Sequence, residues 1–255
     1  MKKGKIVLAS ALAGLVLAAV VALRGSGQQE SAGFAVVELY TSEGCSSCPP
    51  AEALMERTQQ ADRDLPVYCL AFHVDYWDRL GWKDVFSSAV YTDRQRQYAR
   101  WLKASQLYTP QAVVNGTTEF VGSDEAALTK AIRAGLQQKS AVTLTLSGLK
   151  LDAGKVDWQY RIAGLSGTGN RRLSLVAVVV EKQAVTQVKD GENSGRTLRH
   201  VQIVRSLGMQ TPDTRWAGSG HLDWPPGLPA AQGELVAFLQ DEDTGKIISV
   251  TRATV

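Results

Sequence analysis

Two cysteines, Cys45 and Cys48, are separated by two residues, a spacing that can serve three kinds of chemistry. Such a pair can form and break a disulfide, supply half of a metal site, or stay joined as a permanent cross-link. Residues 34–41 before it form an apolar run typical of a buried strand, and Pro49 and Pro50 behind it fit the first turn of a helix. A thiolate at a helix N-terminus is stabilised by the helix dipole. Cys45 is therefore the candidate nucleophile and Cys48 the resolving thiol.

The neighbours of the pair set its expected redox character. Glu43 lies two residues before Cys45, and a carboxylate there is expected to raise the pKa of the Cys45 thiol. Ser46 and Ser47, between the cysteines, bring no positive charge. We therefore expect a moderately reducing pair. The third cysteine, Cys69, lies in an apolar run and is interpreted as an inert buried thiol.

A second polar group follows the next predicted strand, where open α/β sheets bind ligands. His73 and Asp75 are candidates for a proton relay to Cys48, and Tyr76 and Trp77 are candidates for binding the substrate. An alternative is that Asp75 caps a turn while the aromatic rings cover the core.

The order of the elements over residues 34–140 resembles the thioredoxin fold: strand, CxxC, helix, strand, helix, proline, hairpin, helix. The resemblance implies that Thr109-Pro110 has a cis peptide bond facing the cysteines, with Pro110 in the catalytic site and Thr109 beside the substrate chain. An alternative is a trans proline that begins an edge strand. Asn115-Gly116 predicts the hairpin that follows.

A metal site is the second hypothesis for the same residues. Cys45, Cys48 and His73, with Asp75 as a weaker candidate, would suit copper(I) or zinc. This set is similar to that of copper-delivery proteins of the same fold, although those have a wider cysteine spacing.

Residues 141–255 contain only strand and turn patterns and predict an all-β, sandwich-like domain. The predicted fold class is therefore an α/β thioredoxin-like domain followed by an all-β sandwich-like domain. Within the second domain, residues 191–200 form a glycine-rich loop with Glu192, Asn193, Arg196 and His200, which we interpret as a solvated connection although these side chains have the chemistry for a site.

The N-terminal segment, residues 1–33, predicts a signal peptide or an uncleaved signal anchor, because three lysines precede an apolar run from Ile6 to Leu23. We expect an exported protein of the periplasm or cell envelope. Four basic residues and one acidic residue lie within residues 1–30, so the rest carries 24 of each sign. Such a balance argues against nucleic acid as a partner.

Four strings carry a resemblance to the exported bacterial domain-of-unknown-function family 1223: ELYTSEGCSSCPPAEAL, FHVDYWDRLGW, YTPQAVVNG and GENSGRTLRH. The similarity spans residues 34–252 and implies a thioredoxin-like fold, but no activity.

The sequence thus predicts an exported thiol-disulfide oxidoreductase that needs no cofactor. Its expected partners are protein thiols or disulfides and a membrane redox partner. Two alternatives stay open: a copper or zinc binding or delivery protein, and a non-catalytic envelope module in which Cys45 and Cys48 form a structural disulfide.

Overall fold

The structure is a computed structural model that describes residues 33–165 and 171–255. The predicted signal peptide or anchor, residues 1–33, lies outside the described residues except for its last position. Within the described ranges, no helix is long and apolar enough to cross a membrane.

The chain forms eleven strands and three α-helices in its described part. The strands are β1 (Ala35–Thr41), β2 (Val67–His73), β3 (Gln111–Val114), β4 (Thr118–Val121), β5 (Thr143–Asp152), β6 (Lys155–Ala163), β7 (Leu173–Gln187), β8 (Thr197–Gln210), β9 (Ala217–Asp223), β10 (Gly233–Asp241) and β11 (Ile247–Ala253). The helices are α1 (Pro49–Ala61), α2 (Ala89–Leu102) and α3 (Glu125–Gln137), with short 3-10 helices at Asp75–Leu80 and Ala230–Gln232.

Eight strands form one mixed sheet in the order β11-β10-β7-β8-β2-β1-β3-β4, and β5, β6 and β9 form a second sheet in the order β5-β6-β9. Strands β1 and β2 are parallel in register from Ala35↔Val67 to Thr41↔His73, whereas β3 runs antiparallel to β1. The parallel pair brings the residues after Thr41 and His73 to one edge of the sheet. That edge carries the CxxC turn and the polar group after β2.

The predicted fold class is wrong. The chain is mostly β, and its large mixed sheet with three helices is not a thioredoxin-like α/β layout followed by a sandwich. Strand β8 pairs in parallel with β2 at Ala71↔Ile203. This pairing joins β8, β7, β10 and β11 to the same sheet as β1 and β2. The division into domains 34–140 and 141–255 stays a prediction.

The alternation of side chains along the strands builds three cores. On β1, Val36 and Tyr40 pack with Tyr91 and Tyr98 of α2. The opposite face of β1 packs against α1 and α3 through apolar residues that include Val37, Leu39, Leu54 and Ile132. On β7, Leu175, Ala177 and Val179 face the small sheet, where Trp158 and Tyr160 cover them. Each face of a strand thus packs against a different layer, as the two-residue side-chain period requires.

Candidate functional site

Cys45 and Cys48 are joined by a disulfide at the start of α1. Cys48 is the N-cap residue, and Pro49 and Pro50 take the first helical positions, where their missing N–H groups leave no helical bond unmade. Both cysteines have an exposed fraction of 0%. The predicted position of the pair is confirmed, but its sulfur atoms lie beneath the surface.

Thr109, Pro110 and Trp77 lie beside the cysteine pair. The peptide bond between Thr109 and Pro110 is cis, as the sequence resemblance implied. Ser47 Oγ lies 3.3 Å from Cys45 Sγ and donates to the Thr109 carbonyl oxygen at 3.5 Å. Trp77 Nε1 donates to Thr109 Oγ1 at 2.8 Å. The surface at the CxxC turn therefore includes the exposed Ser46 and Ser47, with Thr109 and the Trp77 ring beside them.

Tyr76 and Asp75 make their hydrogen bonds to α2. The Tyr76 hydroxyl donates to Gln95 Oε1 at 3.3 Å. Thr92 Oγ1 donates to Asp75 Oδ1 at 2.6 Å and accepts from the Asp75 amide at 3.2 Å. These contacts fasten the loop after β2 to α2, and the substrate-binding role of Tyr76 and the relay role of Asp75 stay predictions.

His73 is fully buried and bonds to Asp84. Its Nδ1 lies 2.6 Å from Asp84 Oδ2, and the same carboxylate oxygen accepts from the Glu43 amide at 2.8 Å. The His73 ring packs edge-on against the ring of His200, with the centroids 5.1 Å apart. One possible ligand atom from each of Glu52, His73 and His200 lies within 4.8 Å of the others, a group that includes neither cysteine.

His200 lies on β8 between two carboxylates of the CxxC segment. Its Nδ1 is 2.5 Å from Glu52 Oε2, and its Nε2 is 3.3 Å from Glu43 Oε1. The other oxygen of Glu52 accepts from Thr41 Oγ1 at 2.6 Å. The buried side chains of this arrangement are hereafter called the histidine–carboxylate cluster: Glu43, Glu52, His73, Asp84 and His200.

The charges in the cluster stabilise one another against the cost of burial. Burial by itself lowers the pKa of His200, but the carboxylates of Glu43 and Glu52 outweigh it and raise the pKa to about 10. Burial raises the pKa of Glu52, yet the hydrogen bond and charge of His200 and the charge of His73 leave it below its ordinary value. Burial also raises the pKa of Asp84, yet the charge and hydrogen bond of His73, together with the backbone amides of Glu43 and Phe86, leave it below its ordinary value.

The loop between β7 and β8, residues 188–196, lies over the CxxC turn and is called the covering loop. Asn193 Nδ2 donates to the carbonyl oxygens of Glu43 at 2.8 Å and Cys45 at 2.9 Å. The Ser46 amide donates to Glu192 Oε2 at 3.0 Å. A segment far along the chain thus holds the backbone on both sides of Cys45.

The interpretation of residues 191–200 as a solvated connection is wrong for Asn193 and His200, which are both buried.

Glu52 and Asp84 were not recognised as site residues. For Glu52 a signal existed, since it follows Cys48 by four residues on the helix and must therefore lie on the same face. For Asp84 none existed, because its contact with His73 depends on the path of an irregular loop.

Comparison with known proteins gives a family and a close structural relative. The sequence profile of the family described as "Protein of unknown function (DUF1223)" matches residues 36–240. No curated protein matches. An X-ray structure of a protein from Agrobacterium tumefaciens is similar, with 26% identity, a TM-score of 0.64, and coverage of 88% of this chain and 95% of that chain.

A domain of the outer membrane lipoprotein Omp28 from Porphyromonas gingivalis matches more weakly. Its identity is 14% and its TM-score 0.29, over 45% of this chain and 87% of that one. The family profile spans most of the chain, including the CxxC turn, the covering loop and all members of the histidine–carboxylate cluster. The chain belongs to the DUF1223 family.

Proposed function

We propose that this protein is a thiol-disulfide oxidoreductase that works outside the cytoplasm, with Cys45 as nucleophile and Cys48 as resolving thiol. The observation that carries the proposal is the Cys45–Cys48 disulfide at the N-terminus of α1. The location outside the cytoplasm is proposed from the lysine-flanked apolar leader.

The surroundings of Cys45 suit a thiolate. The dipole of α1 places positive potential at the CxxC turn, and Ser47 Oγ, 3.3 Å from Cys45 Sγ, can donate a hydrogen bond to a sulfur anion. Cys48 lies one helical turn from Glu52, whose amide donates to the Cys48 carbonyl oxygen at 3.2 Å. Glu52, the acidic residue in the first turn of α1, is the proposed proton acceptor or donor for Cys48.

Stabilisation of the fold alone does not explain well why this disulfide is present. The stabilisation from a cross-link grows with the length of the loop that it closes, and a four-residue segment gives about 2 kcal/mol against about 3 kcal/mol for fifteen residues. The segment is already held by the helix and by the bonds from Asn193. The disulfide therefore stabilises the fold less than a cross-link that closes a longer loop, and it closes a turn that other contacts already hold.

The proposed reaction is disulfide exchange with protein thiols. A substrate thiolate attacks Cys45 Sγ and forms a mixed disulfide, while the electron pair of the broken S–S bond leaves on Cys48, which takes up a proton. A second substrate thiolate then attacks the substrate sulfur and releases Cys45 as a thiolate. The substrate is oxidised by two electrons and the protein is reduced by two. The reverse sequence reduces a substrate disulfide, and a membrane redox partner would reset the pair.

Access is controlled by the covering loop in this proposal. Both sulfur atoms lack exposed surface, so a substrate thiolate can reach Cys45 only after Asn193 and Glu192 release the turn. Such local opening is common at ligand-binding loops, because they are among the least stable parts of a fold. Once open, the turn lies beside Thr109, Pro110 and Trp77, which form the proposed surface for the substrate chain.

The test is a redox titration of the full chain in thiol-disulfide buffers without metal, with alkylated cysteines counted by mass. We expect a reversible two-thiol transition at Cys45 and Cys48 within roughly −120 to −270 mV, the range of known exchange proteins. With a substrate disulfide, the variant Cys48→Ser should trap a mixed disulfide at Cys45, because one substrate sulfur leaves as a thiolate and no resolving thiol remains, whereas Cys45→Ser should trap none. Cys69→Ser is the matched control and should behave as the wild type. A pair that stays oxidised below about −300 mV would contradict the proposal and indicate a structural cross-link.

A further inference from the structure

We propose that His73, His200 and Glu43 form a binding site for a divalent metal ion of the zinc class, with Asp84 and Glu52 as the carboxylates that hold the two imidazoles. The site lies beneath the CxxC turn and is independent of its cysteines. This set differs from the cysteine-based metal site considered for the sequence, since it shares only His73 with it. The proposal stands apart from thiol exchange and can fail without it.

The first argument is a group of buried atoms without partners. Among the described residues, four buried side-chain nitrogen or oxygen atoms lack a hydrogen bond, and three of them belong to this cluster: His73 Nε2, His200 Nε2 and Glu43 Oε1. Leaving one buried polar atom unsatisfied costs about 1–3 kcal/mol. His73 Nε2 has no hydrogen-bond partner, and His200 Nε2 and Glu43 Oε1 face only each other, at 3.3 Å and without a hydrogen bond. A bound species would complete the coordination of all three atoms.

The second argument is the way in which the two imidazoles are held. His73 Nδ1 bonds to Asp84 Oδ2 at 2.6 Å, and His200 Nδ1 bonds to Glu52 Oε2 at 2.5 Å. Metal-binding histidines use the same device, in which a carboxylate fixes the ring through one nitrogen and leaves the other nitrogen for the metal. Both Nε2 atoms lack a hydrogen bond and are therefore open to a metal ion.

The spacing of the donor atoms fits a small cation. Zinc binds nitrogen and oxygen ligands at about 2.0–2.2 Å, so neighbouring ligands of a tetrahedral site lie about 3.3 Å apart. His200 Nε2 and Glu43 Oε1 are 3.3 Å apart, and a ligand atom of His73 lies within 4.8 Å of one of His200. Small side-chain movements would bring these donors onto one ion.

Charge favours a divalent ion as well. The cluster holds three carboxylates, Glu43, Glu52 and Asp84, all with at most 6% exposure. In the metal-free protein an imidazolium at His200 compensates one of these charges. A metal ion that displaces its proton supplies two positive charges in place of one. A doubly charged cation compensates two of the three. Imidazole and carboxylate donors together suit zinc better than calcium or magnesium, which prefer oxygen ligands alone.

The experiment measures zinc binding by the folded full chain. The metal-stripped protein is incubated with Zn²⁺ alone, free ion is removed, and bound metal is counted by elemental analysis and native mass spectrometry. We expect one Zn²⁺ per chain in the wild type and in the double variant Cys45→Ser/Cys48→Ser. We expect less than about one tenth of that occupancy in His73→Gln and His200→Gln at the same Zn²⁺ concentration. His221→Gln, at the remaining and exposed histidine, is the matched control and should bind as the wild type does.

A milder variant keeps the test decisive if the histidine variants do not fold. Asp84→Asn retains the size of the side chain but weakens its support of His73, and should lower zinc affinity by about 10–100-fold. Circular dichroism establishes that each variant is folded. The proposal is overturned if the folded wild type binds no zinc, if the cysteine double variant loses it, or if His73→Gln and His200→Gln retain it.

Discussion

The side-chain amide of Asn193 donates to the carbonyl oxygen of Cys45 at 2.9 Å, although 148 residues separate the two along the chain. A second bond from the same nitrogen reaches the carbonyl oxygen of Glu43 at 2.8 Å. The backbone on both sides of the CxxC turn is therefore held by one side chain of the covering loop. We therefore expect the covering loop to limit access to the disulfide.

Replacing Asn193 should expose the disulfide. Asn193→Ala removes both bonds and leaves two carbonyl oxygens without that donor, so we expect local opening to become easier by about 1–3 kcal/mol. Each 1.4 kcal/mol corresponds to about tenfold in the open population, and native-state reduction by dithiothreitol should accelerate by about 10-fold or more. Lys189→Ala, at an exposed position in the same loop, is the control and should leave the rate unchanged. Equal rates in wild type and Asn193→Ala would show that the loop does not limit access.

Local patterns in the sequence predicted the elements around the site well. The expected strand at 34–41 is β1, and the helix expected after Pro49 and Pro50 is α1. The Asn115-Gly116 turn joins β3 and β4, with both residues at positive φ. Such features depend on residues close in sequence, so strand period and turn chemistry reveal them.

Contacts between distant segments could not be predicted in the same way. The pairing of β2 with β8 joins the two halves of the large sheet, and its register is given by one residue pair, Ala71↔Ile203. No local sequence pattern specifies that pair. The same pairing carries His200 to His73, and the ring contact between them follows from it. A single sequence gives no signal for such a contact, so the fold class and the assembly of the histidine–carboxylate cluster from distant segments were missed.

Cys69 should stay unreactive when the other two thiols react. Its burial raises its pKa to about 12 from an ordinary 9.0, which lowers the thiolate fraction near pH 8 about a thousandfold. After reduction of the folded protein, iodoacetamide should therefore modify Cys45 and Cys48 long before Cys69. Mass spectrometry of timed samples measures the order, and protein unfolded in urea, where all three should react, is the control. Rapid labelling of Cys69 in the folded chain would contradict the expected burial.

The buried ion pair between Arg94 and Glu38 should contribute strongly to stability. Arg94 on α2 donates from Nε to Glu38 Oε2 at 2.6 Å and from Nη2 to Glu38 Oε1 at 2.9 Å, and Nη1 also reaches Gln240 Oε1 on β10 at 3.2 Å. Arg94→Leu leaves the Glu38 carboxylate buried without its partner and should lower the free energy of unfolding by about 3–5 kcal/mol in urea titrations.

The same helix offers a matched control for that change. Arg96 pairs with Asp93 at the surface, where both side chains are more than half exposed. Arg96→Leu should cost at most about 1 kcal/mol, because water screens an exposed pair. The double variant Glu38→Gln/Arg94→Leu should regain part of the loss, since it removes the unpaired charge. A similar loss for Arg94→Leu and Arg96→Leu would show that burial does not decide the value of the pair.

The hydrogen bond from Trp77 to Thr109 should be measurable as a coupling between two variants. Trp77 Nε1 donates to Thr109 Oγ1 at 2.8 Å, and both Trp77→Phe and Thr109→Val remove this bond. Because either change alone already removes it, the double variant should lose less stability than the sum, by about 0.5–1.5 kcal/mol in urea unfolding. Thr145→Val, at an exposed threonine in the small sheet, is the control and should add to Trp77→Phe within about 0.5 kcal/mol. Additivity between Trp77→Phe and Thr109→Val would mean that the bond does not position Thr109. The proposed substrate surface beside Cys45 would then need another support.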